Sequence, residues 1–304
     1  MKISIILPTY NRADTYLKEA IDSVISQTYK NWELLIIDNH SADNTDELIS
    51  NYKEERIELL KIHNNGNIAK SRNLGIKNAS GDYTALLDSD DYWDKKKLEI
   101  CAGFLNKESD CGMCHSEIWK YPNRTIQKNY GRIPFTFSNL LNSGNLISLS
   151  STIIHTDILN DLGGFDENSK IITAEDYDLW IRLAKNHYDI KFLREPLGTF
   201  RVHDKSESSN VENNINAICN VITKHAKINK LTDKKKKFAL SNAWQIAGKT
   251  YQINSLRLQS LKAYLRSIMC NFKNIKSYFL ILSLITPYDL VLNTYIKYKN
   301  EKNN

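Results

Sequence analysis

The chain lacks the features that would place it in several common classes. Its five cysteines, Cys101, Cys111, Cys114, Cys219 and Cys270, are odd in number and scattered, which fits a reducing compartment and excludes a disulfide framework. Cys111-Gly-Met-Cys114 is followed by neither a second cysteine pair nor a His-x3-His at finger spacing. The segment Cys111 to Ile118 therefore reads as a core strand, not a zinc or redox site. The longest apolar run, Tyr278 to Thr286, falls far short of the ~20 residues that span a bilayer. The first residues form a strand without a charged n-region or cleavage site, so no signal peptide and a cytosolic location are expected. A Gly-rich phosphate loop with Arg or Lys is also missing near the N-terminus, where Leu7-Pro8-Thr9-Tyr10-Asn11 stands. That argues against a nucleotidyltransferase. No aromatic-interleaved basic groove is found, so nucleic acid is not an expected partner.

What is present suffices for a large packed domain. The 304 residues are 41% hydrophobic and 10% aromatic, enough for one catalytic domain and a smaller extension. Apolar runs at Ile3–Leu7, Leu34–Ile37, Ile57–Ile62 and Tyr83–Leu87 read as buried strands. Between them lie helical patterns: Leu17, Ile21, Val24 and Ile25 with Asp14 placed to cap, then Asn44–Ile49, then Ala69–Lys77. Strand–helix alternation with short polar connections implies βαβ units and a parallel sheet. The strand at Ile3 is expected to halt at Pro8. Each strand ends in polar residues, so one sheet edge gathers Thr9, Tyr10, Arg12, Asp38 and the run Asp88-Ser89-Asp90-Asp91. Ligands of open α/β sheets bind at that edge. Carboxylates this close repel unless a cation joins them, and hard oxygen ligands favour Mg²⁺ or Mn²⁺.

Four segments here resemble glycosyltransferase family 2 in order and spacing. They are Ile6 to Arg12, Ile37 to Asp43, Ala69 to Gly75 and Asp88 to Asp91. Gly163-Gly164-Phe165-Asp166-Glu167, Ala174 to Trp180, and Phe200-Arg201-Val202-His203 with Ser206 extend the likeness over residues 2 to 210. One departure stands out: Asn39-His40 replaces the second Asp and the Gly of the family's Asp-Asp-Gly-Ser loop. The resemblance implies an α/β, GT-A (Rossmann-like) fold, with a mostly parallel sheet flanked by helices. It also implies an inverting, metal-dependent enzyme that uses nucleotide-diphosphate sugars.

The same resemblance assigns expected roles. Asp38 accepts a hydrogen bond from the base, Tyr10 packs on it, and Arg72 contacts nucleotide or phosphate. Asp90 holds a divalent cation, with Asp88 near the ribose or the metal, and Asp91 either orients that loop or binds metal. His203 is a further ligand or a diphosphate contact. Such a cation neutralises charge on the leaving diphosphate. Inversion needs one base for the acceptor hydroxyl. Asp176 is the choice, Glu175 the next candidate as base or acceptor-orienting group, and Asp178 points elsewhere on the helix Tyr177–Lys185. Gly163-Gly164 supplies an unusual turn on the acceptor side. A non-catalytic sugar-binding relative would be expected to lose Asp90 or Asp176, and both are present.

The chain changes character after about Ser209. The catalytic domain is expected over 1–209, with a nucleotide-sugar half at 1–100 and an acceptor half at 101–209. Residues 210–304 form a basic helical extension, patterned at Asn213–Lys227, Lys235–Tyr251 and Ser255–Met269. The net charge of +6 concentrates here, in Lys234 to Lys237 and in Lys273, Lys276, Lys297, Lys299 and Lys302 around Phe272–Leu292. The alternatives are an ordinary appendage with a solvated lysine face and a surface resting on anionic lipid at the inner face of the bacterial membrane. Members of the resembled family with this layout extend undecaprenyl-diphosphate-linked sugars in O-antigen or capsule assembly. The expected reaction is thus β-transfer of a UDP-hexose, glucose or galactose favoured, to an acceptor such as a GlcNAc-diphospholipid. Lipooligosaccharide sugars and a protein-bound glycan are the other acceptors considered.

Overall fold

The computed structural model describes residues 1–108, 110–126, 134–203 and 210–285. They fall into two compact units, one holding Met1–Phe137 and Asn145–Ser206, the other Ser138–Gly144 and Glu207–Asn304, each over its described residues. The first begins β1 (Ile3–Thr9), α1 (Leu17–Ile25), β2 (Trp32–Asp38), α2 (Thr45–Ser50), β3 (Ile57–Lys61), α3 (Ile68–Asn78) and β4 (Tyr83–Leu86). It continues with β5 (Tyr92–Trp93), α4 (Lys97–Leu105), β6 (Cys111–Tyr121), β7 (Thr125–Ile126) and the start of α5 (Phe137–Ser143). After α5 come β8 (Thr152–His155), α6 (Thr156–Asp161), α7 (Glu175–Lys185) and β9 (Asp189–Arg201).

These strands form one sheet in the order β3-β2-β1-β4-β8-β6-β9-β5, with β7 on β6. Neighbours among β1 to β4 are parallel, as their alternation with helices requires, and so are β6 and β9. The remainder is antiparallel: β8 against both β4 and β6, β5 against β9, and β7 against β6. The sheet is therefore mixed, and its parallel part is the part that carries βαβ units. Alternate residues of β1 and β2 (Ile3, Ile5, Leu7; Trp32, Leu34, Ile36) meet Leu17, Ile21 and Val24 of α1 and Leu98 and Leu105 of α4 in one core. Each such side chain contributes about 1.5–3 kcal/mol on burial. Cys111 and Cys114 are buried on β6, in the strand expected for them.

Three local details bear on the site. β1 does not halt at Pro8 but runs through it to Thr9. Its ladder with β4 ends at Ile6, so the missing Pro8 N–H costs no bond on that side. Asp14 does not cap α1: Tyr16 holds the cap position without a side-chain bond, because the Arg12 carbonyl draws in the amides of Thr15, Tyr16 and Leu17. On the sheet's other face α3 crosses β1 and β2 at Gly75, where a Cβ would stand 2.6 Å from Ile6 Cγ2.

The second unit is helical: α8 (Val211–Ile228), α9 (Asp233–Ile253), α10 (Arg257–Cys270) and α11 (Ile275–Leu282). Asn210 and Thr232 cap α8 and α9 with their side chains. The seam between α9 and α10 is polar and small. Ser241 Oγ donates to Ser267 O at 2.8 Å, Ser260 Oγ to Gly248 O at 2.8 Å, and Asn274 Nδ2 to Ser241 Oγ at 2.9 Å. Ser206, the end of the Phe272–Leu292 stretch, and Lys297, Lys299 and Lys302 lie outside the described residues. Among the described residues no helix is long and apolar enough to cross a membrane.

Candidate active site

The carboxyl ends of β1, β2 and β4 bring the sequence-predicted residues to one edge. In register Thr9 sits beside Asp38. Thr9 is buried and its hydroxyl has no hydrogen-bond partner among the described residues, whereas neighbouring Tyr10 is 55% exposed. Arg12 is half-buried at the turn into α1.

Asp38 is fully buried. Its carboxylate accepts from the Ser41 amide at 3.1 Å and from Ser41 Oγ at 2.5 Å. In this conformation it closes its own loop, and the neighbouring side chains bear the loop's outer groups. Asn39 Oδ1 accepts from the Asn64 amide at 2.8 Å. His40 adopts φ 52° and stacks on His63 with centroids 3.6 Å apart. The Asn39-His40 departure thus shapes a different outer surface on a loop that Asp38 and Ser41 still hold.

Arg72, on the turn of α3 before Gly75, is not on the helix surface. It is buried, with Nη2 donating to Asp88 Oδ1 at 2.8 Å and Nη1 to Glu175 Oε1. Burial would disfavour its charge, but Asp88 and Glu175 outweigh that and hold it protonated. Glu175 Oε2 has no partner among the described residues. Burial pushes Asp88 above the usual carboxylate range despite Arg72, with Asp90 adding to the rise. The Asp88 amide donates to Ser150 Oγ at 3.1 Å, and Trp93 Nε1 donates to Ser150 O at 2.7 Å.

The four expected metal ligands do not all converge. Asp90 Oδ2 and His203 Nε2 are 2.9 Å apart, with the Tyr16 ring 5.1 Å from the imidazole. Asp91 is engaged elsewhere: it is buried and Oδ1 accepts from the Arg201 amide at 3.0 Å. Burial, Asp90 and Asp88 together push its carboxyl well above the usual range. Among the described residues no group of three or more His, Cys, Asp or Glu is arranged to hold a metal. Asp90 nonetheless fits a hard divalent ion, since such ions take one or two carboxylates and complete their shell with phosphate and water, and His203 adds an adjacent imidazole nitrogen.

The base candidates open α7, where carboxylates complement the helix dipole. Asp176 Oδ2 accepts from Asn145 Nδ2 at 2.8 Å and Oδ1 from the Tyr177 amide at 2.6 Å. Its carboxyl is pushed up to about 7, by desolvation first and the Glu175 charge second. That value suits a group taking a proton near neutral pH. Asp178 is turned away as expected, buried and paired to Arg182 Nε at 2.8 Å. Arg182 in turn donates to the carbonyls of Leu162 and Gly164, both at 2.8 Å. Gly163 and Gly164 take φ 73° and 68°, a conformation that favours glycine. Asn73 of α3 accepts from the Phe165 amide at 2.7 Å and donates to its carbonyl at 2.9 Å. Asn145 and Ser150 were not foreseen, because a single Asn or Ser between elements carries no pattern, and Asn73 lies within the Ala69–Gly75 segment without local sign of its distant partner Phe165. The edge thus gathers Asp88 and Asp90, beside which a phosphorylated ligand would need a bridging cation, and sets apart Asp176 as a carboxyl pushed up to about 7.

Residues 4–157 match the profile described as Glycosyl transferase family 2. The UDP-Glc:alpha-D-GlcNAc-diphosphoundecaprenol beta-1,3-glucosyltransferase WfaP of Escherichia coli is 32% identical over 210 residues, 68% of this chain and 80% of that protein. S. aureus TarS 1-349 in complex with UDP-GlcNAc is similar in fold, with TM-score 0.69 at 20% identity, covering 93% of this chain and 91% of that one. So is the mannosyltransferase PcManGT from Pyrobaculum calidifontis in complex with GDP-Man and Mn²⁺, with TM-score 0.62 at 15% identity over 93% and 85% of the two chains.

Proposed function

The chain belongs to glycosyl transferase family 2 and is a glycosyltransferase of the bacterial polysaccharide type; from that premise we propose that it moves a hexose from a UDP-sugar to a lipid-diphosphate-linked saccharide, with inversion. The favoured pairing is UDP-glucose or UDP-galactose with a GlcNAc-diphospho-undecaprenol acceptor, giving a β linkage in O-antigen or capsule repeat-unit assembly. The acceptor class rests on the similarity to WfaP. The observation that carries the chemistry is Asp176, whose carboxyl is held by Asn145 and pushed up to about 7.

Each residue then has a task. Thr9, Tyr10 and Arg12 line the nucleoside end, and Asp38 keeps the loop beside them in shape through Ser41. Asp90 and His203 would hold Mn²⁺ or Mg²⁺, with Asp88 beside them; when bound, the cation supplies charge neutralisation for the departing diphosphate. Asp176 takes the proton of the attacking hydroxyl, and Glu175, fixed by Arg72, offers its free Oε2 to a second acceptor hydroxyl. The enzyme works at the inner face of the cell membrane as a peripheral protein.

The test is incubation with UDP-glucose, UDP-galactose or UDP-GlcNAc, Mn²⁺, and a short-chain GlcNAc-diphospholipid. The expected product is a β-linked disaccharide lipid, read by mass and NMR anomeric coupling. Transfer only to a lipooligosaccharide or to a glycoprotein would replace the acceptor and leave the chemistry in place.

A further inference from the structure

The second unit ends in a surface that the transfer chemistry leaves unused. Ser241 of α9 is bonded to Ser267 of α10, and Gly248 to Ser260, so the two helices run antiparallel. The start of α9 and the end of α10 therefore lie at one end of the unit, together with the turn leading into α11. At 1.5 Å per residue, the first residue of α9 projects about 12 Å beyond the Ser241 level. That projecting turn is Lys234-Lys235-Lys236-Lys237, with Lys230 just ahead in the α8–α9 connection and Lys273 in the α10–α11 turn. At the same end of the unit α10 closes with Met269 and its turn into α11 carries Phe272, 83% and 72% exposed, with Lys273 Nζ over the Phe272 ring. Exposed Met and Phe beside a lysine cluster differ from an ordinary solvated face, where the lysines would stand without apolar tips.

We propose that this end of the helical unit is a docking surface for anionic bilayer lipid. Met269 and Phe272 enter the headgroup boundary, while Lys234 to Lys237 and Lys273 meet lipid phosphates. Charge complementarity selects the partner: Asp233 is the acidic residue in the same stretch, and clusters of four or more lysines near apolar groups bind anionic leaflets. The surface deepens the lipid-linked acceptor reading above, but vesicle binding needs no turnover, so either can fail without the other.

The experiment is cosedimentation of the full-length protein with phosphatidylglycerol-rich and with pure phosphatidylcholine vesicles. Binding should be strong to the first, weak to the second, and abolished by high salt. Replacing Lys234 to Lys237 together with Gln should lower affinity for anionic vesicles at least ~10²-fold. Phe272→Ser and Met269→Ser should each lower it several-fold. All variants should keep the parent circular dichroism, and an exposed Phe272→Ser serves if the fourfold variant does not fold. Equal binding of parent and variants to anionic vesicles would overturn the proposal. So would equal binding of the parent to both vesicle types, or duplex DNA binding as tight as vesicle binding and lost in the same variants.

Discussion

Arg72 and Glu175 lie 103 residues apart in the chain and form a buried ion pair, while the other arm of the same guanidinium holds Asp88. One side chain on α3 thus fixes both the turn after β4 and the first residue of α7. Asp88 at the sheet edge and the helix opened by Glu175 and Asp176 share this guanidinium.

Arg72→Ala should leave two acids in the interior without their partner, a loss of about 3–5 kcal/mol for breaking a buried pair from one side. Chemical denaturation measures it. Arg72→Lys keeps the charge but not the two-armed geometry, so its stability should fall between parent and Ala. An unchanged midpoint for Arg72→Ala would show that the bridge contributes nothing.

Asp176→Asn keeps shape and removes the proton acceptor. The expected result is a kcat lower by about 10²–10⁴ with little change in donor affinity. Near-normal kcat would transfer the role to Glu175.

The pH dependence follows from the same carboxyl. The base must be deprotonated, so kcat/KM should rise through about pH 7 and level off above it. Stability moves the opposite way. The folded form holds the Asp176 proton between its ordinary value near 3.8 and about 7, so this group's share of stability is present below that window and declines as pH rises through it. Asp176→Asn should therefore melt higher than the parent at pH 8, with the gap closing toward pH 4. A gap that widens on acidification would contradict the assignment.

Chelation should abolish transfer, and Mn²⁺ or Mg²⁺ should restore it. Asp90→Ala should cost at least ~10²-fold in activity, the scale of losing a charge-stabilising group. His203→Ala should weaken Mn²⁺ binding, read by paramagnetic resonance of the free ion. Full activity in excess EDTA would remove the cation from the mechanism.

Gly75→Ala would press a Cβ onto Ile6 of β1 and lift α3 from the sheet. Overpacking of this kind costs about 1–3 kcal/mol, and because Arg72 rides one turn away, kcat should fall as well as the melting temperature. A variant that is destabilised yet fully active would show that Arg72 tolerates the shift.

The strands carrying the site were legible as apolar runs, and Asp88 to Asp91 was legible because acids following such a run are unusual. Asp38 was legible as the acid that ends β2, whereas its bonds to Ser41 were not. Asp-x-x-Ser turns make that local bond readily, but spacing alone does not say whether a base or a hydroxyl wins the carboxylate. Arg72 reads in sequence as a nucleotide or phosphate contact, and nothing local announces its bonds to Glu175 and Asp88. Asp91 carries two alternatives in sequence, orienting the loop or binding metal, and its bond to the Arg201 amide on the returning β9 is not announced there. The antiparallel entry of β8 was equally hidden, since a four-residue apolar strand carries no sign of its direction.

The seam between α9 and α10 has a further consequence. Apolar helix faces can slide by a residue or a turn and still bury oil against oil, whereas Ser241, Ser267 and Asn274 bond one another, and Ser260 bonds the Gly248 carbonyl, only at one offset. The seam works as an alignment key. Gly248 against the Tyr264 ring adds a steric stop, because a Cβ there would collide with that ring. Substituting Ser267 by Ala should therefore loosen alignment more than it lowers stability, showing as faster amide exchange along α9 and α10 in a protein that still melts cooperatively.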